Sequence, residues 1–518
     1  MSRPARSLAL LFLISAPLAA QLVRTYSLDT VVVGSLPSSN VINDLAAGTD
    51  TIWFATEKGL DRFDAQFSRW AHYANTNGFG GDGISAIAIR GSTIWASTAY
   101  TTEQEGQSMP AGSGLHFSPD GGITWTAIPQ PRDSGFVDTL TYGINKIPAL
   151  DITTQVNNIT YDIALTQGTV WIASFAGMLR SSTDNGTSWN RIVLPPDFGA
   201  DRIGPSDTLQ FDLAPTSGSS GLTGNLNHRV FSVFAGDDST VWVGTAGGIN
   251  LSTDGGVSWQ KFDHTNEASP ISGNFVVAIN EQTWGATRTV WAATVNAESA
   301  DETRGVSFSS DRGTTWKTTL LGEFAHNFAF MDSLVYVVTD DGIFRTSDRG
   351  ASWTRNGTIY DPANLFRFAA SALYGVATTG DTVWVVGPEG AAFTIDSPSN
   401  PFGSSWKIFR TYSPASSSPG KTYSFPTPFS PVTGVVRIHY AVDAFAAPAA
   451  VTIRIFDFGM LPVKTLIRNA PRSSSAEFDE IWDGRDDLGR GVANGVYFYH
   501  IQVSGTGQDE WGKIFVLR

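Results

Sequence analysis

Five aspartates recur at the same place in a repeated octapeptide with the pattern Ser/Thr-x-Asp-x-Gly-x-x-Trp. A carboxylate repeated in this way suggests either an acid or ligand in each repeat or the closure of a turn. Turn closure also explains the neighbouring residues, because Asp accepts backbone N–H bonds inside a loop, Gly adopts positive φ, and Trp returns into the next strand. We therefore predict an architectural role for Asp120, Asp184, Asp254, Asp311 and Asp348.

Ten other carboxylates fall in long insertions and are the candidates for catalysis. A glycoside hydrolase needs two carboxyl groups about 5–10 Å apart across a cleft. The spacing of these ten residues singles out no such pair, so the catalytic residues stay unassigned and the sequence leans towards a non-enzymatic role. The ten are Glu103, Glu105, Asp133, Asp138, Asp151, Asp201, Asp207, Glu298, Asp301 and Glu302.

Several other kinds of chemistry find no support in the sequence. The seven histidines show no metal-ligand spacing, and there is no phosphate loop, dinucleotide fingerprint or G-x-S-x-G motif. Cysteine is absent, so disulfides and thiol chemistry are excluded. The net charge of −14 argues against a nucleic-acid partner, since phosphate binding needs clustered Lys and Arg. We expect no cofactor and no metal.

A second repeated element must hold the octapeptides in place. It is a short apolar strand with a central aromatic residue, and it follows a strand of alternating apolar and polar residues. The repeat is about 40–50 residues long, which is typical of the four-stranded blades of a β-propeller. Seven copies predict an all-β fold that begins with a seven-bladed β-propeller. Their aromatic residues are Trp53, Trp95, Trp171, Trp242, Trp291, Tyr336 and Trp384.

The octapeptide resembles the Asp-box (BNR) repeat of sialidase-type β-propellers, and this resemblance implies the propeller fold. The resemblance does not imply sialidase activity, because the arginine triad expected of a sialidase has no counterpart in the sequence. The first blade, residues 36–64, also resembles the propeller repeat of two-component sensors. The segment Leu22 to Leu28 is a candidate to close the ring by pairing with the last blade.

Four long insertions in blades two to five suggest an elaborated face opposite the octapeptides, and long loops on one rim often carry function. The insertions are Thr101 to Gly114, Pro129 to Asn157, Leu194 to Asn227 and Val295 to Arg304. Polar residues open the innermost strands on that face and are candidates to bind a ligand, although Asn and Asp are also good turn residues before a strand. They are Asn40, Asp82, Asn158, His228 and Asn274.

The two ends of the chain carry different signals. Residues 1–20 are predicted to be a secretory signal peptide, followed by the propeller over 21–412 and a Pro/Ser/Gly linker over 413–420. Residues 421–518 predict a small Ig-like β-sandwich. Its segments Phe425-Pro-Thr-Pro-Phe429 and Trp482 to Tyr499, together with the closing strand Lys513 to Arg518, resemble FlgD-like Ig modules and type IX secretion sorting domains. That resemblance implies export, or attachment at a bacterial cell surface.

The sequence therefore favours a secreted or surface-displayed β-propeller that binds an extracellular glycan or protein and meets the export machinery through its C-terminal domain. No transmembrane segment is expected once the signal peptide is removed. The alternative is an extracellular glycoside hydrolase or lyase that uses carboxylates on the long-loop face.

Overall fold

The computed structural model describes residues 24–27, 32–48, 51–65, 68–73, 79, 82–104, 106–135, 138–215, 225–364, 366–368, 370–411, 422–432, 434–442, 449–472, 477–504 and 507–517. The predicted signal peptide and the predicted linker both lie outside these residues. Almost all of the regular structure is β-strand, and one short 3₁₀ helix spans Leu226–His228.

Seven antiparallel sheets form the blades of a β-propeller, as predicted from the repeats. Two short strands come first, β1 (Arg24–Ser27) and β2 (Val32–Gly34). Blade one contains β3 (Ile42–Ala47), β4 (Thr51–Thr56), β5 (Gly59–Asp64) and β6 (Arg69–Tyr73). Blade two contains β7 (Gly83–Arg90), β8 (Thr93–Gln104), β9 (Gln107–Ser118) and β10 (Thr124–Pro129).

The hairpin β11 (Thr139–Tyr142) and β12 (Asn145–Pro148) separates blades two and three. Blade three contains β13 (Thr160–Leu165), β14 (Val170–Ser174), β15 (Met178–Ser182) and β16 (Asn190–Arg191). Blade four contains β18 (Val230–Ala235), β19 (Val241–Thr245), β20 (Gly248–Ser252) and β21 (Trp259–Phe262), with β17 (Arg202–Ile203) added to its outer edge.

Blades five to seven complete the ring. Blade five contains β22 (Phe275–Trp284), β23 (Thr287–Val295), β24 (Gly305–Ser309) and β25 (Lys317–Thr319). Blade six contains β26 (Ala325–Met331), β27 (Leu334–Thr339), β28 (Gly342–Thr346) and β29 (Thr354–Asn356). After the short pair β30 (Tyr360–Asp361) and β31 (Phe366–Arg367), blade seven contains β32 (Gly375–Thr379), β33 (Thr382–Gly387), β34 (Gly390–Ile395) and β35 (Lys407–Phe409).

Packing of aromatic side chains, rather than an exchanged strand, joins the last blade to the first. Phe54, Phe63 and Trp70 of blade one share an apolar core with Trp384 and Phe409 of blade seven. The suggestion that the segment Leu22 to Leu28 pairs with the last blade is wrong for its described residues, 24–27, because they form β1, which pairs with β10 at the outer edge of blade two. Residues that extend an outer edge cannot reach the inner strands where the ring closes.

Each octapeptide aspartate closes its own turn through hydrogen bonds. The Asp184 carboxylate accepts the backbone N–H of Ser188 at 2.9 Å and its hydroxyl at 2.6 Å. These bonds lower the pKa of Asp184 to about 2, the hydroxyl bond being the largest cause. The same pair of bonds recurs at the other four aspartates, which supports the architectural role: Asp120, Asp254, Asp311 and Asp348.

The glycine at position five of each octapeptide allows neighbouring blades to pack closely. Gly122 has φ +90°, and a Cβ on it would lie 2.6 Å from the Cη2 atom of Trp53 in the preceding blade. Gly256 repeats this arrangement against Trp171 at 2.5 Å. Each octapeptide turn therefore covers an aromatic side chain of the blade before it, as the regular spacing of Trp in the sequence requires.

The predicted elaborated face is only partly correct. The described residues of two of the four insertions, Pro129 to Asn157 and Leu194 to Asn227, leave that face and run along the outer edge of blades three and four. The Tyr142 hydroxyl, on the β11–β12 hairpin, donates to the carbonyl of Val257 in an octapeptide turn at 2.6 Å. The reason is hydrophobic: Ile147, Ile203 and Leu213 of these insertions join the core between blades three and four.

The C-terminal residues form a β-sandwich with a core of its own. One sheet has the order β36 (Thr422–Phe425), β37 (Val436–Ala441) and β40 (Glu477–Trp482). The other has the order β39 (Pro462–Arg472), β38 (Ala449–Phe456), β41 (Gly495–Ser504) and β42 (Gln508–Val516).

This sandwich packs on the propeller face opposite the octapeptides. Arg437 of β37 is buried and donates to the carbonyl of Pro388 in blade seven. Beside it lie Glu389 and Arg410 of the propeller, both almost fully buried, with Oε2 and Nη1 3.7 Å apart. At the other end of the contact, Arg485 reaches Glu103 on the long hairpin of blade two at 3.2 Å.

Candidate functional site

A central channel of about 590 Å³ runs through the propeller, and the inner strand of every blade contributes to its wall. The inner strands begin on the face that carries the C-terminal sandwich. In blades one to six each inner strand contains a bulge near this end, which shifts the register of the residues that face the channel. The residues at and around the bulges therefore decide what the channel mouth presents to a ligand.

Four aromatic residues form a continuous patch at the mouth, which we call the aromatic mouth: Tyr161, Phe175, Phe231 and Phe275. Phe231 lies at the centre, with its ring centroid 5.3 Å from that of Tyr161 and 4.6 Å from that of Phe275. Tyr161 is 36% exposed and the three Phe side chains are half-buried. The guanidinium of Arg229 lies 5.4 Å from the ring of Phe175.

The patch continues more sparsely around the mouth into blades six and seven. His326 contacts the rings of Phe324 and Tyr374, and its Nε2 atom lies 2.8 Å from the Asp340 carboxylate. Among the described residues, the contacts of the C-terminal sandwich that we identify fall on blades seven, one and two and on the segment that joins blades six and seven. The aromatic mouth, on blades three to five, lies away from these described contacts, and Tyr161 within it is exposed.

Two carboxylates lie deeper in the channel wall. The Asp44 carboxylate accepts the backbone N–H of Leu45 at 2.8 Å and that of Ile87, in the next blade, at 3.2 Å. Asp162 accepts the backbone N–H of Ile163 at 2.8 Å and that of Val233 at 2.9 Å. Each aspartate thus links its own blade to the following one.

Burial raises the pKa of both channel carboxylates, and the backbone hydrogen bonds only partly oppose it. The pKa of Asp44 rises to about 7. The pKa of Asp162 rises to about 8, with the charge of Asp44 as a smaller additional cause. Both residues escaped the sequence analysis because each sits inside an apolar strand. Their constant spacing could have revealed them: each aspartate lies nine residues before the tryptophan of its blade's second strand, Trp53 or Trp171.

The raised pKa values predict a stability that falls with rising pH. A carboxyl group whose folded pKa exceeds its unfolded value of 3.8 contributes stability below about pH 4, and this contribution is lost as the pH rises through the folded pKa. Asp162→Asn cannot ionise and keeps one acceptor. We expect its melting temperature to exceed that of the wild type by several degrees at pH 9, which corresponds to about 1–2 kcal/mol in the free energy of unfolding. At pH 5 we expect no such gain.

Differential scanning fluorimetry across this pH range would check the prediction. Asp184→Asn is the matched comparison, because the pKa of Asp184 is lowered and its replacement should bring no gain at pH 9. A melting temperature of Asp162→Asn that runs parallel to that of the wild type from pH 5 to pH 9 would contradict the expected ionisation.

The polar residues predicted at the strand openings lie on the expected face, but most of their hydrogen bonds are made with backbone groups of the protein. Asn40 accepts a backbone N–H from the end of blade seven at 2.6 Å, and Asn274 accepts one from the loop after blade four at 2.7 Å. Asn158 is buried and donates to two carbonyls of the preceding insertion. His228 is also buried, which lowers its pKa to about 4. Asp82 is half-buried. Ligand binding by these five stays a prediction.

Several of the insertion carboxylates are held by neighbouring groups of the protein. Asp133 lies between Arg180 at 2.9 Å and Arg191 at 2.8 Å. Glu302 accepts three backbone N–H bonds, two from its own loop and one from Asn274, which precedes β22. Asp207 accepts a turn N–H at 2.6 Å. Such carboxylates position loops, and a ligand would have to displace these bonds to use them.

Two broader features bear on the kind of site. Within the described part of the chain, no group of three or more His, Cys, Asp or Glu side chains is arranged to hold a metal ion. Over the same residues, no helix has both the length and the apolar character needed to cross a membrane.

Comparisons with known proteins find similarity at the level of structure. No protein-family model matches the sequence, and no curated protein matches it. YCF48 bound to D1 peptide matches with 12% identity and a TM-score of 0.42, covering 72% of this chain and 97% of that chain. A GH74 enzyme from Niastella koreensis matches with 12% identity and a TM-score of 0.48, covering 96% of this chain and 75% of that chain.

A third similar structure is PorZ of Porphyromonas gingivalis, described as a surface component of its type IX secretion system. The identity is 15% and the TM-score 0.35, with 92% of this chain and 66% of that chain covered. The present chain thus spans just under two thirds of the length of PorZ. At these identities the likeness concerns the fold alone.

Proposed function

We propose that this chain is a secreted or cell-surface β-propeller that binds an extracellular ligand, a protein or a glycan, at the aromatic mouth. The observation that carries the proposal is the partly exposed aromatic cluster of Tyr161, Phe175, Phe231 and Phe275 at the channel mouth. Grouped aromatic side chains on a rigid rim supply large contact area at a small entropic cost, and they are typical anchors of binding sites.

The scaffold supports this assignment because it holds the rings without their own loops having to fold on binding. Phe231 and Tyr161 lie on inner strands, and Phe275 opens another, so three blades fix their relative positions. The hydrogen bonds of the insertion carboxylates favour binding over hydrolysis, since Asp133 and Glu302 are already engaged by the protein.

The C-terminal sandwich is proposed to serve export or attachment. Its segments Phe425 to Phe429 and Trp482 to Tyr499 carry the resemblance to FlgD-like Ig modules and type IX sorting domains. The Asp-box resemblance of the octapeptides concerns the scaffold in the same way. Neither resemblance assigns a ligand, so the proposed binding depends on the aromatic mouth alone.

The full chain, screened against a glycan array and a displayed peptide library, would identify ligands and test this proposal. For any ligand found, we expect Phe231→Ala to weaken binding at least ten-fold, because it removes the central ring of the patch. Ile123→Ala is the matched control, since Ile123 is 69% exposed in an octapeptide turn on the opposite face. Ligands whose affinity is unchanged by Phe231→Ala, or reduced equally by Ile123→Ala, would overturn the site.

A further inference from the structure

We infer that the channel beneath the aromatic mouth receives an ammonium group, carried by a lysine side chain of a protein ligand. This inference rests on the proposed function and deepens it, because it names what passes through the mouth. It follows from three features of the described residues: the carboxyl groups in the channel, the aromatic rings above them, and the extension of those rings outside the channel.

The upper channel contains two carboxyl groups, which become negatively charged as the pH rises through their pKa values of about 7 and about 8. Asp44 and Asp162 both line it, and each carboxylate oxygen accepts a single backbone N–H, so lone pairs remain for a further donor. Arg90, which also lines the channel, lies at the end of its strand near the octapeptide face and donates to the carbonyl of Leu165. His326 lies at the mouth beside Asp340. Arg229 also lies at the mouth, where its guanidinium contacts Phe175 and donates to the carbonyl of Pro215 outside the channel lining. An anion would meet two carboxylates, and a cation would be attracted by them.

The aromatic mouth suits the same ligand. Tyr161 immediately precedes Asp162 on one inner strand, so a ring and a carboxylate follow each other along the channel wall. Phe231 also lines the channel and packs on Tyr161. Ring faces attract ammonium groups, and the attraction is strongest where water is excluded. A cation entering from this face therefore passes aromatic rings first and reaches the carboxylates afterwards.

The arrangement favours a lysine side chain over a free amine. The rings of Phe175 and Phe275 extend the patch outside the channel across three blades, so they would contact the chain that carries the ammonium group. A four-carbon stem can place its apolar length against the rings and its charged end beyond them. A free amine would leave the outer rings unused.

Calorimetry on the full chain at pH 8.5, with four short peptides and n-butylamine, would test the inference. The first probe is an acetylated, amidated tripeptide with lysine between two phenylalanines; the others carry norleucine, acetyl-lysine or glutamate instead of lysine. We expect the lysine peptide to bind at least ten-fold more tightly than the other three peptides and than n-butylamine. Equal affinity for the lysine and norleucine peptides would overturn the inference, as would n-butylamine binding as tightly as the lysine peptide.

Variants separate this inference from the proposed function. The double variant Asp44→Asn with Asp162→Asn should lose the preference for lysine and still bind the norleucine peptide, whereas Phe231→Ala should weaken both. Asn already occupies the equivalent position in blade six, at Asn327, so this change suits the fold. If array ligands still depend on Phe231 but no peptide shows a lysine preference, only the inference fails. If Phe231→Ala leaves all binding unchanged, the site itself fails.

The wild-type protein provides an independent check if the variants fold poorly. A cation binds the ionised carboxylates, so affinity for the lysine peptide should rise by several fold from pH 6 to pH 9 while affinity for the norleucine peptide stays constant. The titratable and charged groups that line this space are Asp44, Asp162, Tyr161, His326, Tyr374 and Arg90, with Asp340 beside His326 and Arg229 against Phe175 at the mouth. If the His326→Gln variant shows the same rise in affinity with pH, the rise comes from the carboxylates. If the rise is absent in His326→Gln, the inference is contradicted.

Discussion

Gly122→Ala is expected to destabilise the propeller by about 2–4 kcal/mol, whereas Gly121→Ala should cost only about 1 kcal/mol. Both glycines have positive φ, +71° for Gly121 and +90° for Gly122, so both substitutions strain the backbone. Only the Cβ at position 122 meets a neighbour, the Cη2 atom of Trp53 at 2.6 Å, while the space beside position 121 is open. The difference between the two variants therefore isolates the contact between blades.

Urea unfolding followed by tryptophan fluorescence would measure both free energies. The buried tryptophans of the propeller, Trp53 among them, become exposed on unfolding, so their combined emission reports the unfolding of the propeller. Gly256→Ala should reproduce the effect against Trp171, because the geometry repeats there. If Gly121→Ala and Gly122→Ala were equally destabilising, the cost would come from φ alone, and the proposed covering of one blade's tryptophan by the next blade's turn would be wrong.

Arg437→Ala is expected to release the C-terminal sandwich from the propeller while both parts stay folded. Arg437 is almost fully buried in the contact, where it donates to the carbonyl of Pro388 and lies near Glu389. Removing one partner from a buried charged cluster costs about 3–5 kcal/mol. Release from the propeller would relieve that cost by returning Glu389 and Arg410 to water.

Small-angle X-ray scattering would show the release as a larger radius of gyration, and circular dichroism would confirm that the strands persist. Arg468→Ala is the matched control, because Arg468 is an exposed arginine of the same sandwich. An unchanged scattering profile for Arg437→Ala would mean that the buried arginine does not hold the two parts together. Unfolding of the sandwich alone would instead assign Arg437 a role in its own sheet.

The repeats in the sequence were sufficient to predict the propeller. Each octapeptide specifies its turn locally, because the hydrogen bonds of Asp184 reach no further than four residues along the chain. The recurring Trp residues specify the contact between blades, since a large apolar side chain at a constant register must be buried in each one. Interactions of short range and constant spacing are the kind that a sequence reveals directly.

The candidate site depends on longer-range relationships. Tyr161, Phe231 and Phe275 come from three blades and are separated by more than 40 residues each, so no local pattern places them together. Asp44 and Asp162 look like interruptions of apolar strands until the bulges turn them into the channel wall. Two of the four insertions were misplaced for a related reason. Their apolar residues pack into the core between blades three and four instead of staying on the face from which the insertions start.

The sequence by itself thus determined the all-β class and the number of blades, both of which depend on contacts within a repeat or between successive repeats. Tertiary structure alone decided which side chains share the channel mouth and which part of that mouth the C-terminal sandwich leaves open. The physical reason is that closing the ring brings together residues from distant blades, and their proximity is a property of the closed ring that no single repeat contains.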